Sequence, residues 1–305
     1  MIDLLTRMRR DENGNAIILA AISLMALLAI AGLAIDGGLV YMTKSHLQKT
    51  ANAAVLSGAQ ELTNQEAAVA KVVDEVLIAH KEPASLESIQ IKMNDEVSVD
   101  LSKKVNLAFS TLLGFENLDV KVHASAGLRN MGRAVGAVPL GIDESIQLDF
   151  YKTYELKVDS SGVEYGNFGI LALGGPGAAT YEDNFRNGYK SELKIGDIID
   201  TQTGNIAGKT RSVVQERVNG CTANPPDFTD RDCSRIILVP VYKPYDYSDG
   251  QMKQIKVTGF AYFYITDPMD SKDTSIKGMF IRRAGTGFEE PGSKDKGAYS
   301  IRLTE

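Results

Sequence analysis

The chain has 305 residues, 44% of them hydrophobic and 24% charged, with a formal net charge of −6. Apolar residues are too plentiful and charges too balanced for a disordered chain, and the acidic excess removes the attraction that nucleic-acid binding needs. Two cysteines exclude a disulfide-dense scaffold, and His46, His80 and His123 lie far apart with no ligand-like spacing.

Residues 1–15 form a short basic lead with Arg7, Arg9 and Arg10, and are followed by AIILAAISLMALLAIAGLAI, Ala16 to Ile35, 20 residues without a charge. A helix rising ~1.5 Å per residue covers the ~30 Å hydrocarbon core with such a run. Core helices of soluble proteins are seldom so uniform. The run also exceeds the ~7–15 apolar residues of a cleavable signal, although AGLAIDGG offers a weak cleavage site. The expectation is a membrane helix over 16–42, in contact with the lipid bilayer. Three arginines before it against Lys44 and Lys49 after it put the N-terminus in the cytoplasm and residues 43–305 outside, in the inner (cytoplasmic) membrane. Asp36 stands at the outer end, where it reads as an interfacial helix ending. Its isolation also raises pairing with Lys44 of a neighbouring subunit.

Beyond the span the helical pattern continues, with Leu47, Ala51, Ala54, Gly58 and Leu62 at three- and four-residue spacings. This small, apolar face reads either as packing on another subunit or on its own domain, or as an ordinary core face. A second helix is predicted over Gln65 to His80, stopped by Pro83. SIQIKM (Ser88 to Met93) and VSVDL (Val97 to Leu101) alternate around Asn94 and Asp95 and read as a hairpin. Leu107 to Leu113 reads as a short helix ended by Gly114, and LDVKVHASA (Leu118 to Ala126) as a strand. A long apolar helix feeding a small αββαβ unit over 43–130 is a pilin-like build.

The segment from Gly14 to Leu62 resembles the N-terminal part of the Flp pilus-assembly TadG-like family. In that family Gly-Asn opens the apolar helix, Gly-Leu-Ala-hydrophobic-Asp closes it, and Leu-Gln-x-x-Ala-x-Ala-Ala follows. The matching residues here are Gly14, Asn15, Gly32, Leu33, Ala34, Ile35, Asp36, Leu47, Gln48, Ala51, Ala53, Ala54, Gly58 and Ala59. The resemblance implies a membrane anchor and assembly role for Gly14, Asn15, Gly32, Asp36, Leu47, Gln48, Ala51, Ala54 and Gly58, with other pilus-assembly or pilin subunits as partners. VNLAFSTLLGF, VKVHASAGL and, in the C-terminal half, GNFGILALGGPG, IGDIID and IILVPVY are similar to the family less specifically. Prepilins usually carry Glu five residues after the processed Gly, and Leu19 stands there, so the N-terminus is expected to stay as an anchor. Longer family members add a von Willebrand A-like domain with an Asp-x-Ser-x-Ser metal motif. Asp159, Ser161 and Val163 miss its last position, which makes this a short form without that metal site.

After the resemblance region composition shifts. Only Tyr41, Phe109 and Phe115 of the 22 aromatic residues precede position 136, and eight of nine prolines follow it. Gly132 and Gly136 before Pro139 mark a linker over 131–138, and residues 139–305 read as a mostly-β domain, a sandwich or irregular barrel. Its strands are Phe150 to Val158, Phe168 to Leu173, Arg235 to Tyr242, Ile255 to Ile265 as a central strand, and Ser275 to Ile281, with short helices over Tyr181 to Tyr189 and Thr210 to Val218. Cys221 and Cys233 close a loop of 13 residues, which suits a local disulfide in an oxidising compartment; two free thiols are the alternative.

Several fragments imitate catalytic motifs. GNIAGKT (Gly204 to Thr210) is one residue short of a P-loop, LGGPGAA (Leu173 to Ala179) lacks the dinucleotide fingerprint, and Asp267, Asp270 and Asp273 miss calcium-loop spacing. No Gly-x-Ser-x-Gly elbow is present and no histidine lies after residue 123 to act as a base. The expectation is an α+β, single-pass, non-enzymatic pilus-assembly component without cofactor, metal or nucleotide. The alternative is a cell-surface adhesion module that binds glycan or host ligand through the aromatic-rich C-terminal half.

Overall fold

The computed structural model describes residues 12–157, 168–202, 206–222, 227–248 and 251–304. Its first element, α1 (Glu12–Gly58), is one uninterrupted helix, since neither proline nor a β-branched run breaks it. The helix therefore does not end at Asp36: Gly37 and Gly38 remain helical and the apolar segment runs straight into the stem. A 3-10 turn leads to α2 (Glu66–Ala79), which stops before Pro83. The hairpin of β1 (Leu86–Lys92) and β2 (Glu96–Asn106) turns at Asn94, a residue type that tolerates its φ of +61°. A 3-10 turn over Ser110–Leu113 ends at Gly114, with φ +88°, and enters β3 (Asn117–Ala134).

The chain continues through β4 (Leu140–Asp143), β5 (Thr153–Lys157), β6 (Phe168–Ile170), α3 (Ala178–Asn187), β7 (Leu193–Lys194), β8 (Ile198–Asp200) and α4 (Ala207–Gly220). Then come β9 (Ile236–Ser248), β10 (Gln251–Ile265), β11 (Ser275–Ile281), β12 (Arg283–Ala284), β13 (Phe288–Glu289) and β14 (Ala298–Leu303). The fold is α+β, a long apolar N-terminal helix followed by a mostly-β region of two curled sheets. The first sheet has the order β1-β2-β3-β14-β12, with β7 and β13 on the far end of β3; the second runs β5-β11-β10-β9-β4-β6, with β8 on β10.

Residues 131–134, expected in a linker, are instead the last residues of β3, whose end pairs with β7 and β13. Gly132 is there for close approach: a Cβ on it would meet Glu290 at 2.3 Å. Only Gly136, with φ +90°, makes a turn. The C-terminal β14 departs from the expected division as well, because it pairs with β3 from Tyr299↔Asn130 to Leu303↔Ala126. Alternation within six residues cannot say which sheet a strand joins.

One core lies between the stem and the first sheet, where Leu47, Ala51, Ala54 and Val55 meet Val97, Val99, Leu101, Ala124 and Ala126, with Val69, Val73 and Leu77 of α2. The second sheet is covered on both faces. Tyr181, Phe185, Val213 and Val214 of α3 and α4 pack on Val239, Val241, Ala261 and Phe263, while Met252, Ile255, Val257 and Phe260 face Met131, Ala134 and Ala298. This double burial is why the second half of β10, Phe260 to Ile265, is a continuous apolar run, and the strand lies inside the sheet, between β9 and β11.

Candidate functional site

The family motif Gly32 to Asp36 builds a socket on α1. Residues four apart share a helix face, so Gly32 and Asp36 point together at the turn between β2 and β3. Asp36, 3% exposed, accepts hydrogen bonds from the backbone N–H of Ala108 (3.0 Å), Phe109 (3.0 Å) and Ser110 (2.6 Å) and from the Ser110 hydroxyl (2.7 Å). Four donors satisfy the carboxylate within its own chain, which corrects the pairing with Lys44 of a neighbouring subunit. One turn below, Gly32 makes room for the Phe109 ring: a Cβ there would sit 2.6 Å from Phe109 Cβ and Cγ. The motif is thus a clasp between helix and turn.

The stem face continues the same stripe. Leu47, Ala51 and Ala54 are fully buried against this chain's own sheet, and a Cβ on Gly58 would meet Val73 Cγ2 at 2.7 Å. Gln48 bridges to the sheet, its amide donating to the His123 carbonyl (2.8 Å) and to Asn52 Oδ1 (3.0 Å). Of the readings open from sequence, the geometry is that of packing on its own domain. Gly14 and Asn15 lie in the first turns of α1, and their surroundings fall outside what the structure describes.

Folding brings together histidines that sequence separates. His46 and His80 have ring centroids 6.4 Å apart, and His46 Nε2 lies 3.4 Å from Glu82 Oε1. Glu82 is buried and also accepts from Lys103 Nζ (2.5 Å) and Ser85 Oγ (2.6 Å). Burial pushes its carboxyl up, but the Lys103 and Ser85 hydrogen bonds and the charges of Lys103 and His46 outweigh this and hold it below the usual range. Among the described residues no group of three or more His, Cys, Asp or Glu could hold a metal ion.

Cys221 and Cys233 form a disulfide. The loop it closes carries Arg231, whose guanidinium donates to Glu61 Oε1 (3.0 Å) and to the Gln60 carbonyl (2.7 Å) just beyond the stem. The sequence marked the two cysteines but not this contact, which joins the loop to the end of α1.

The fragments that imitate catalytic motifs serve other ends. Lys209 pairs with Glu182 (2.6 Å), and the buried Thr210 hydroxyl contacts the Ile206 carbonyl and the Tyr181 hydroxyl, each at 3.0 Å. Gly174, Gly175 and Gly177 all have positive φ and shape the turn before α3. Asp273 accepts from the Asp270 N–H (2.7 Å), as in a polar turn. Asp159, Ser161 and Val163 lie outside the described residues. An unforeseen group lines an open groove of about 520 Å³: Ser88 Oγ donates to Asp100 (2.6 Å) and His123 Nδ1 lies 2.7 Å from the same carboxylate. The Ser88 and His123 hydrogen bonds hold the Asp100 carboxyl below its usual range. Ser88 gives its proton to Asp100 rather than to the imidazole, whereas an activated nucleophile needs the hydroxyl aimed at the base.

Among the described residues one helix is long and apolar enough to cross a membrane, and its apolar stretch is almost wholly exposed, from Ile17 through Leu33. No curated protein and no solved structure matches the chain. Residues 14–61, the long apolar helix and stem whose contacts are described above, match the family model Tad, described as putative Flp pilus-assembly TadE/G-like. Over that segment, and only there, the chain is similar to the TadE/G-like Flp pilus-assembly family.

Proposed function

We propose that this protein is a single-pass, non-enzymatic component of Tad/Flp (type IVb) pilus assembly, held in the inner membrane with residues 43–305 outside the cytoplasm. The observation that carries the reading is the coincidence of the family match with the apolar helix and its clasp: Gly32 and Asp36 are motif residues, and both are used to seat the ectodomain on the anchor. The ectodomain contributes contacts to other subunits of the machine. Those contacts lie away from Leu47 and Ala54, which are already buried. Of the aromatic residues that favour a glycan-binding module, Tyr181, Phe185, Tyr242, Phe260, Phe263 and Phe280 are in the core, whereas Tyr151, Tyr245, Tyr247 and Phe288 are exposed.

Cross-linking in intact cells tests the assembly reading. The chain has two cysteines, both in the disulfide, so a thiol introduced at Tyr41 or Met42, 74% and 69% exposed, is the unique reactive site. Capture of another pilus-system protein is expected. Recovery of none, together with sugar binding by the full-length protein, overturns the assembly reading in favour of the adhesion one.

A further inference from the structure

The turn clasped by Asp36 has an unusual surface. Residues 107–115, LAFSTLLGF, contain no charge. Phe109 and Phe115 are 42% and 65% exposed, and Leu118, just beyond, is 47% exposed. Polar groups in the turn are satisfied inward: the Ala108, Phe109 and Ser110 amides and the Ser110 hydroxyl by Asp36, and the Thr111 hydroxyl by the Leu107 carbonyl. Chain polarity is consumed inside while aromatic and aliphatic side chains are left outside, which is the demand a lipid environment makes.

Depth identifies the occupant. Phe109 packs on Gly32, which lies within the uncharged run Ala16 to Ile35. At ~1.5 Å per residue Gly32 is about 5 Å inside the end of that run. If the run fills the hydrocarbon core, Phe109 sits at the boundary between acyl chains and headgroups, where aromatic side chains are favoured. On α1, Leu33 and Ile35, close in sequence to the Gly32 that Phe109 packs on, are also exposed, at 47% and 58%. The flanks carry both signs, Lys103, Lys104 and Lys121 with Glu116 and Asp119, and Lys103 and Lys121 are paired with Glu82 and Glu87, so no cationic patch there calls for anionic lipid.

We infer that the β2–β3 turn, through Phe109, Phe115 and Leu118, is a wedge inserted in the outer interface of the bilayer that α1 spans. The ectodomain then rests directly on the membrane at two points, helix and turn, with a fixed tilt. The inference rests on the reading of α1 as a membrane anchor.

The chain contains no tryptophan, so single Trp substitutions in the full-length protein report depth directly. Three variants are reconstituted in phosphatidylcholine vesicles that contain lipids brominated near the headgroup or deep in the chain: Phe115→Trp, Phe288→Trp as an exposed reference on β13, and Leu24→Trp inside the span. Phe115→Trp is expected to emit to the blue of Phe288→Trp and to be quenched at least ~twofold more by shallow bromines, an interfacial signature, and to respond equally with phosphatidylglycerol present. Water-like, unquenched emission overturns the wedge, and so does blue-shifted emission untouched by bromines, which would mean a protein partner covers the turn. Leu24→Trp separates the two readings: if deep bromines do not quench it, the anchor itself fails, whereas quenching there without quenching at Phe115 sinks the wedge alone. Leu118→Trp repeats the measurement should Phe115→Trp misfold.

Discussion

Asp36 and Ser110, 74 positions apart, are joined by two hydrogen bonds to one carboxylate oxygen, from the Ser110 amide at 2.6 Å and from its hydroxyl at 2.7 Å. A turn with several converging N–H groups is a natural anion site, and here the anion comes from the long apolar helix α1. Asp36→Ala removes it. Amide hydrogen exchange at Phe109 and Ser110 in the micelle-bound protein is expected to rise at least ~tenfold, while amides in β10 stay unchanged. Unchanged protection at those two amides would show the clasp to be idle.

Helices α1 and α2 are equally close at the top of the stem, where Gly58 meets Val73. Gly58→Val forces a side chain into Val73 and is expected to destabilise the protein by about 1–3 kcal/mol despite the better helix propensity of valine. Val73→Ala in the same molecule should recover part of the loss, with a coupling of about 0.5–3 kcal/mol in a double-mutant cycle read by thermal unfolding. Additive effects would contradict the contact.

Acid should loosen the junction of stem, α2 and β2. The Glu82 carboxyl titrates below its unfolded value of 4.5, so the charged form binds better in the folded state. Its contribution is fully present above about pH 4.5 and is lost as pH falls through the lower folded value. Glu82→Gln weakens the bond from Lys103 and is expected to cost about 1–2 kcal/mol near neutrality. The gap between variant and wild type should close on acidification, which unfolding at stepped pH measures.

Reduction of Cys221–Cys233 frees a short loop and is expected to cost about 3 kcal/mol by the chain-entropy model. Because that loop carries Arg231 to Glu61 and Gln60, exchange should also quicken at residues 60–62, remote from the cysteines in sequence. Arg231→Ala alone should reproduce the faster exchange with less than ~1 kcal/mol lost, since the ion pair is partly exposed.

Much of the architecture was legible where burial imposes a period. The strand expected over Ser275 to Ile281 has those bounds, and the hairpin turns where Asn94 and Asp95 stand. Helices α2, α3 and α4 lie where apolar spacing and Pro83 put them, within a few residues. The clasp was not legible, because a carboxylate that meets backbone amides 74 positions away leaves no periodic mark. Gly132 misled for a related reason. A glycine that admits a neighbouring backbone looks, in sequence, like one that makes a turn.

Ser300 lies opposite Arg129, 171 positions away, and its hydroxyl donates to the Arg129 carbonyl. As the chain emerges residue by residue, the anchor, stem and first three strands are available early, yet the edge of β3 waits for a strand made much later. The elements from β4 to β11 all lie in sequence between the two strands of this pair. An unpaired strand edge is in general open to any extended segment at hand. The edge of β3 is closed in this fold only by a strand drawn from the far end of the described chain, its own β14.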